Sequence, residues 1–190
     1  MQALKDRILK EGKNLGGGIL KVDHFINHQV DAGLMDACGA ELARRFADSG
    51  ATRILTAEIS GIAPALMTGL HMGLPVVYAR KTKPITMPNT VYLTIAPSHT
   101  RGHPVELIVS PEFLGRDEKV LIIDDFLASG STIQGLVRLT EAAGATLVGI
   151  GALIEKTFEG GRDNLAYLDV QIESLVSIVS MLDGKIVIAP

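Results

Sequence analysis

Tryptophan is absent from this chain, aromatic residues make up only 4% of it, and cysteine occurs once, at position 38. Each shortage excludes something. A single cysteine forms no internal disulfide, which fits a reducing compartment such as the cytoplasm. So few rings argue against the stacking platforms that hold single-stranded nucleic acid. Positive charge is not in excess either. Lys and Arg together number 18 against 21 Asp and Glu, a net charge of −3, and that balance argues against a nucleic-acid partner. No apolar run is long enough to cross a bilayer, so no membrane role is expected. The opening MQALKDRILKEGKNLGGG is charged and lacks the apolar centre of a secretory signal. Internal repeats and low-complexity tracts are missing too. What remains is a chain of 190 residues, 47% hydrophobic. That is the size of one domain, 1–190, with a proper core.

Periodicity supplies the elements. ALKDRILKEGKNL is expected to be helical, with Leu4, Ile8 and Leu15 on one face. GGGILKVDHFINHQVD shows no helical cap and no sustained period. In LMDACGAELARRFADSG, Leu34, Cys38, Leu42 and Phe46 recur every four residues, and Gly50 ends the helix. TRILTAEI and LPVVYARK read as strands around a small-residue helix, SGIAPALMTGLHMG. Strand alternating with helix predicts an α/β fold with a mostly parallel twisted sheet flanked by helices. Regularity fails over KTKPITMPNTVYLTIAPSHTRGHP, which carries four prolines. TVYLTI and VELIVS at its end look like an antiparallel pair, and so long an irregular insertion points to function. ATLVGIGALIEKT, VQIESLVSIV and KIVIAP are late strands, with a short helix expected in EGGRDNLAYLD.

The densest signal is VLIIDDFLASGST, Val120 to Thr132. Four aliphatics in a row predict a strand covered on both faces. Asp124 and Asp125 are placed at its C-terminal end. Small and hydroxylated residues follow from Leu127, and then a helix with Ile133, Leu136, Val137 and Thr140 on one face. In open α/β sheets ligands bind outside the carboxyl ends of the strands. Ala128, Ser129, Gly130, Ser131 and Thr132 can bring N–H groups close to an anion at the helix start. Two carboxylates beside a bare phosphate would repel it. A ligand with phosphate at one end and hydroxyls at the other, such as a sugar phosphate, satisfies both halves. Neither a Walker A nor a GxGxxG pattern is present.

Other residues admit two readings each. Ser60 and Gly61 in EISGIAP either open an anion-binding helix start or form a plain N-cap. Arg80, Lys81 and Lys83 in YARKTK suit an anionic leaving group or a solvated basic edge. Asn27 is a base contact or a fixer of its own loop, and Lys156 a base contact or a strand-end charge. His24 and His28, like His99 and His103, are four apart, but neither segment reads as a helix, so no protein-held metal is expected. Cys38 is expected in the core.

The stretch 120–132 resembles the signature of type I phosphoribosyltransferases, and the resemblance runs along almost the whole chain. GGGILKVDHFINHQVD and EKTFEGGR resemble the base-contacting stretches of the purine-using members. The resemblance implies transfer of a phosphoribosyl group from phosphoribosyl pyrophosphate (PRPP) to a purine in salvage, by a cytoplasmic homodimer. Xanthine is the implied base, with hypoxanthine or guanine as the alternative. A PRPP-sensing DNA-binding regulator would need an added domain or a basic face, which the sequence lacks. In the implied scheme Asp124 and Asp125 face the ribose and the reacting centre, and residues 128–132 hold the 5′-phosphate. Ser60, Gly61, Arg80 and Lys81 serve the pyrophosphate, and Leu20, Asn27 and Lys156 the base. Residues 1–33 form the base-recognition segment and 82–104 a flexible hood. Mg²⁺ comes with PRPP and is not held by protein side chains alone. A non-proline cis peptide is implied between Ile59 and Ser60, or one bond to either side.

Overall fold

A computed structural model describes residues 1–97 and 104–190. Helix α1 (Gln2–Glu11) is followed by the short strands β1 (Lys13–Asn14) and β2 (Leu20–Lys21), a π-helical turn over Asp23–Asn27, and α2 (Ala32–Arg45). Then come β3 (Arg53–Ala57), α3 (Ile62–Met72), β4 (Val76–Ala79), β5 (Tyr92–Ala96) and β6 (Val105–Val109). The second half runs β7 (Lys119–Leu127), α4 (Ser131–Ala142), β8 (Thr146–Lys156), α5 (Gly161–Leu165), β9 (Gln171–Ser180) and β10 (Val187–Ile188). The main sheet has six strands in the order β10-β9-β8-β7-β3-β4, parallel throughout except for the antiparallel edge pair β9–β10. This is the expected α/β architecture. β5 and β6 form the expected antiparallel pair as a separate ribbon.

β7 is the centre of the sheet, and its aliphatic run divides between two cores. Leu121 and Ile123 face Leu4 and Ile8 of α1, Cys38 and Leu42 of α2 and Ala65 of α3. Val120 and Ile122 face Ile133, Leu136 and Val137 of α4, and Leu107 and Val109 of β6. A strand with both faces covered needs no polar residue along its length, which is why the run is uninterrupted. Phe46, the last residue of the four-spaced stripe, lies over β8 where a Cβ on Gly149 would come within 2.7 Å of its ring. Burial pushes the Cys38 thiol up to about 12, so it stays a neutral core group.

Three expectations are corrected. Leu15 does not share the face of α1, because the helix stops at Glu11 and Gly12 turns extended; Leu15 is 60% exposed. The segment expected to be irregular contains β2 and the π-helical turn, in which the adjacent Phe25 and Ile26 are both buried. That turn carries His24, and His28 directly follows it, yet both are exposed, and among the described residues no metal-binding cluster forms. β7 continues through the acid pair to Leu127, so the loop begins at Ala128. His99, His103 and the rest of residues 98–103, near the end of the expected hood, lie outside the described residues.

α2 and α3 pack at Gly39. A Cβ there would stand 2.5 Å from Met67 C and Cβ and 2.7 Å from Thr68 N, atoms mostly of backbone. Gly39→Ala should therefore destabilise the protein by about 1–3 kcal/mol despite a better helix propensity. The check is a denaturant midpoint that falls with the slope unchanged.

Candidate active site

Asp124 and Asp125 are 6% and 8% exposed, near the carboxyl end of β7. The Asp125 N–H donates to Asp124 Oδ1 at 3.0 Å. Burial pushes the Asp124 carboxyl well above the usual carboxylate range, and the Asp125 charge and a hydrogen bond with the Asp125 side chain push it the same way, while the Asp125 N–H opposes them. The nearby Lys81 ammonium pulls it back down.

The turn after β3 is built around that acid. Gly61 has no room for a side chain: a Cβ would fall on Thr56 Oγ1 and 2.6 Å from Asp124 Oδ1. The sequence needs glycine here for close approach rather than for an unusual backbone angle, since its φ is −67°. The Glu58–Ile59 peptide is cis, one bond before Ile59–Ser60 and inside the expected range. The Glu58 carboxylate then bridges to the end of β4. Its Oε1 accepts the Lys81 N–H at 2.7 Å, and its Oε2 lies 3.0 Å from Arg80 Nε. Consecutive residues on extended chain point opposite ways. Lys81 lines the cleft with the acids, whereas Arg80 stands over the Tyr78 ring and lines a separate cleft with Pro84, Met87 and Phe113.

Beyond β7, Gly130 adopts a left-handed φ of 83° and ends the loop as the N-cap of α4. Only glycine takes that angle without strain. Ser129 Oγ lies 2.9 Å from Ser131 Oγ. The first N–H groups of α4 have no partner inside the helix, so they and the helix dipole offer a site for an anion.

At the other end stands Lys156, the last residue of β8. Its Nζ donates to Gly18 O at 2.6 Å and to Glu159 Oε1 at 3.1 Å, and lies 5.4 Å from the centre of the Phe126 ring. Asn27, Ser60, Lys81, Asp124, Asp125, residues 128–132 and Lys156 line one cleft of about 240 Å³. Leu20 is buried in the core at 6% exposure and Gly61 is buried behind the acid, so neither lines it. Three further walls were missed: Phe126, Ala96 with Pro97, and Leu107 with Val105. Phe126 had a signal, because two residues after Asp124 it shares that side of the strand.

A family profile described as Phosphoribosyl transferase domain matches residues 54–181. The chain belongs to the phosphoribosyltransferase family, and it is an enzyme of that class. Among curated relatives, the xanthine phosphoribosyltransferase of Levilactobacillus brevis is 46% identical over 100% of this chain and 99% of its own. That of Moorella thermoacetica is 47% identical over 98% and 95%, and that of Deinococcus deserti 48% over 97% and 95%. The fold is shared with solved adenine phosphoribosyltransferases. The Thermoanaerobacter pseudethanolicus enzyme superposes with a TM-score of 0.74 at 22% identity, covering 92% of this chain and 99% of that one. The Giardia lamblia enzyme does so with 0.74 at 21%, covering 92% and 97%.

The raised Asp124 makes a pH prediction. The folded chain holds a proton there that the unfolded chain releases above about pH 3.9. The stability tied to this group is therefore fully present below that pH and is lost as pH rises toward the folded value. Asp124→Asn keeps a neutral group at every pH. Its melting temperature should exceed that of the unsubstituted protein at pH 8, with the gap closing towards pH 3.5, while turnover falls. A variant less stable at pH 8 would contradict this.

Proposed function

We propose that this chain transfers the 5-phosphoribosyl group of PRPP to N9 of xanthine, giving xanthosine 5′-monophosphate and pyrophosphate. One observation carries the reading: a single cleft is lined by a buried acid pair, a small-residue loop at a helix start, a lysine beside the acids, and an amide and an ammonium at its far end. The identities to relatives named for that reaction support the choice of base.

In this reading residues 128–132 hold the 5′-phosphate. Asp124 and Asp125 face the ribose and stabilise the positive charge that develops at C1′ as the bond to pyrophosphate breaks and that to N9 forms. Lys81, Ser60 and the Gly61 backbone hold the leaving pyrophosphate, while Arg80 acts indirectly by its pairing with Glu58. Asn27 and Lys156 read the base edge. Phe126 offers an apolar face, and Leu20 steadies β2 from the core. The base releases its N9 proton, and no covalent nucleophile is required. The hood segment 82–104 would keep water from the reacting sugar.

Mg²⁺ fits the donor chemistry, since two adjacent carboxylates supply hard oxygen ligands. Among the described residues they gather no third acidic or imidazole ligand, so the ion would arrive on PRPP, with Asp124 and Asp125 beside it. Bound there, it would neutralise pyrophosphate charge. The proposal includes a cytoplasmic homodimer: Ile59 in the turn before α3 and Leu66 and Leu70 on α3 are exposed apolar residues that a second copy would cover.

The test is incubation with Mg-PRPP and each purine base separately, following nucleotide formation. Xanthine should be used best, and a preference for guanine would overturn the base assignment. Guanine carries an amine where xanthine has a 2-carbonyl, so donors facing it would go unpaired at about 1–3 kcal/mol each. Asn27→Ala should accordingly narrow the xanthine-to-guanine ratio in kcat/KM by about tenfold, with PRPP affinity nearly unchanged.

A further inference from the structure

The loop 128–132 is built from residues that do not stiffen a backbone, yet an anion cradle works only if its N–H groups are held in direction. Its rigidity comes from α5. A Cβ on Gly161 would fall on the Ala128 carbonyl oxygen and lie 2.8 Å from Leu127 Cδ1 and 3.0 Å from Gly130 N. Two of these atoms are backbone, so no rotamer change relieves the clash. The contact is reciprocal, because a Cβ on Gly130 would lie 3.3 Å from Gly161 O. Asn164 Nδ2 donates to Ser129 O at 3.0 Å, and Gln134 Nε2 from α4 donates to Asn164 O at 3.3 Å. α5 is itself anchored. Arg162 donates to both oxygens of Glu155, at 2.9 and 2.6 Å, and to Ile172 O at 2.8 Å. Ser174 Oγ donates to Glu155 Oε2 at 2.7 Å, and Glu155 is 3% exposed.

We propose that Gly161 and Asn164 are positioning residues for the phosphate end of the substrate. Gly161 is the flat seat on which the loop backbone rests, and Asn164 is the tie that fixes the Ser129 peptide. The inference rests on the reading of residues 128–132 as the 5′-phosphate site. Neither residue lines the cleft, so each acts through the loop. Their loss should therefore appear in phosphate affinity and leave base affinity alone.

Ribose 5-phosphate carries the 5′-phosphate without the pyrophosphate, and its Kd by calorimetry reads this end directly. Gly161→Ala should weaken it, and raise KM for PRPP, by at least about tenfold. Asn164→Ala should do so by about threefold, because its hydrogen bond is exposed and water replaces part of it. KM for xanthine should stay within about twofold in both. Gly160→Asn is the control. That position has a φ of 72° with open space around it, asparagine tolerates such an angle, and the variant should bind as the unsubstituted protein does. Gly161→Ala and Asn164→Ala that fold and bind ribose 5-phosphate with unchanged Kd would overturn the proposal. If Gly161→Ala fails to fold, Asn164→Ala and the acceptor-only Asn164→Asp decide, and unchanged affinity in both overturns it. If the unsubstituted protein binds no ribose 5-phosphate, the reading of the loop falls and this inference with it.

Discussion

A carboxyl group kept out of water beside another carboxyl is the constraint around which this molecule is arranged. Burying one charge without compensation is costly, and burying two neighbours of like sign is worse. Asp124 meets that cost by holding its proton more tightly, and the neighbouring elements accommodate it. Gly61 gives up its side chain so that α3 can start against the acid. Glu58 takes the Lys81 N–H, which holds the chain that bears a cation close to Asp124. On the proposed function, a ligand that brings positive charge, in an ion or in a sugar losing its leaving group, meets this acid pair already in place. That is electrostatic preorganisation: the unfavourable state is set up during folding rather than at the moment of reaction.

The ion pairs differ in how far water reaches them, and their roles differ accordingly. Glu155 is nearly sealed from water, and burial raises its carboxyl, but hydrogen bonds from Arg162 and Ser174 outweigh that and leave it below the ordinary range. Removing Arg162 would strand the buried Glu155 charge, which suits a fixed anchor under α5. Glu58 with Arg80 is more open, at 17% and 34% side-chain exposure. Water screens such a pair, so it orients a strand end more than it stabilises the fold.

How much of this was legible depended on whether the signal was local. The unbroken run Val120–Ile123 announced a doubly covered strand, and the four-residue spacing from Leu34 to Phe46 announced the face of α2. Both patterns are written along one element. The π-helical turn was not legible, because Phe25 and Ile26 are adjacent and fit neither the 3.6 nor the 2 period, and only the wider turn carries both inward. Arg80 and Lys81 were grouped because they are neighbours in sequence. An extended backbone sends them apart, and Glu58, from the turn after β3, decides which goes where. Leu20 and Phe126 show the same limit from two sides. An apolar residue near a motif is as easily core as lining, and which it becomes depends on the packing of distant elements. The seat at Gly161 is the extreme case. A glycine pair before a short helix reads as a turn until the loop that rests on it is seen.

Lys156 shows how the two ends of the cleft share one support. It follows Glu155 directly on β8, so the anchor of α5 beneath the 128–132 loop and the cation at the far end of the cleft are consecutive residues of one strand. An ammonium has three donors. Gly18 O and Glu159 Oε1 take two of them here, and on the proposed function the third is left for a carbonyl of the base. A lysine so held presents its remaining donor from a fixed place, where a free one would lose side-chain entropy on binding. The glycine-rich turn whose carbonyl it grips belongs to the segment that carries Asn27. On the same proposal this side chain ties the N-terminal base segment to the strand that steadies the phosphate end, and the distance between base and sugar is set by the sheet rather than by either loop.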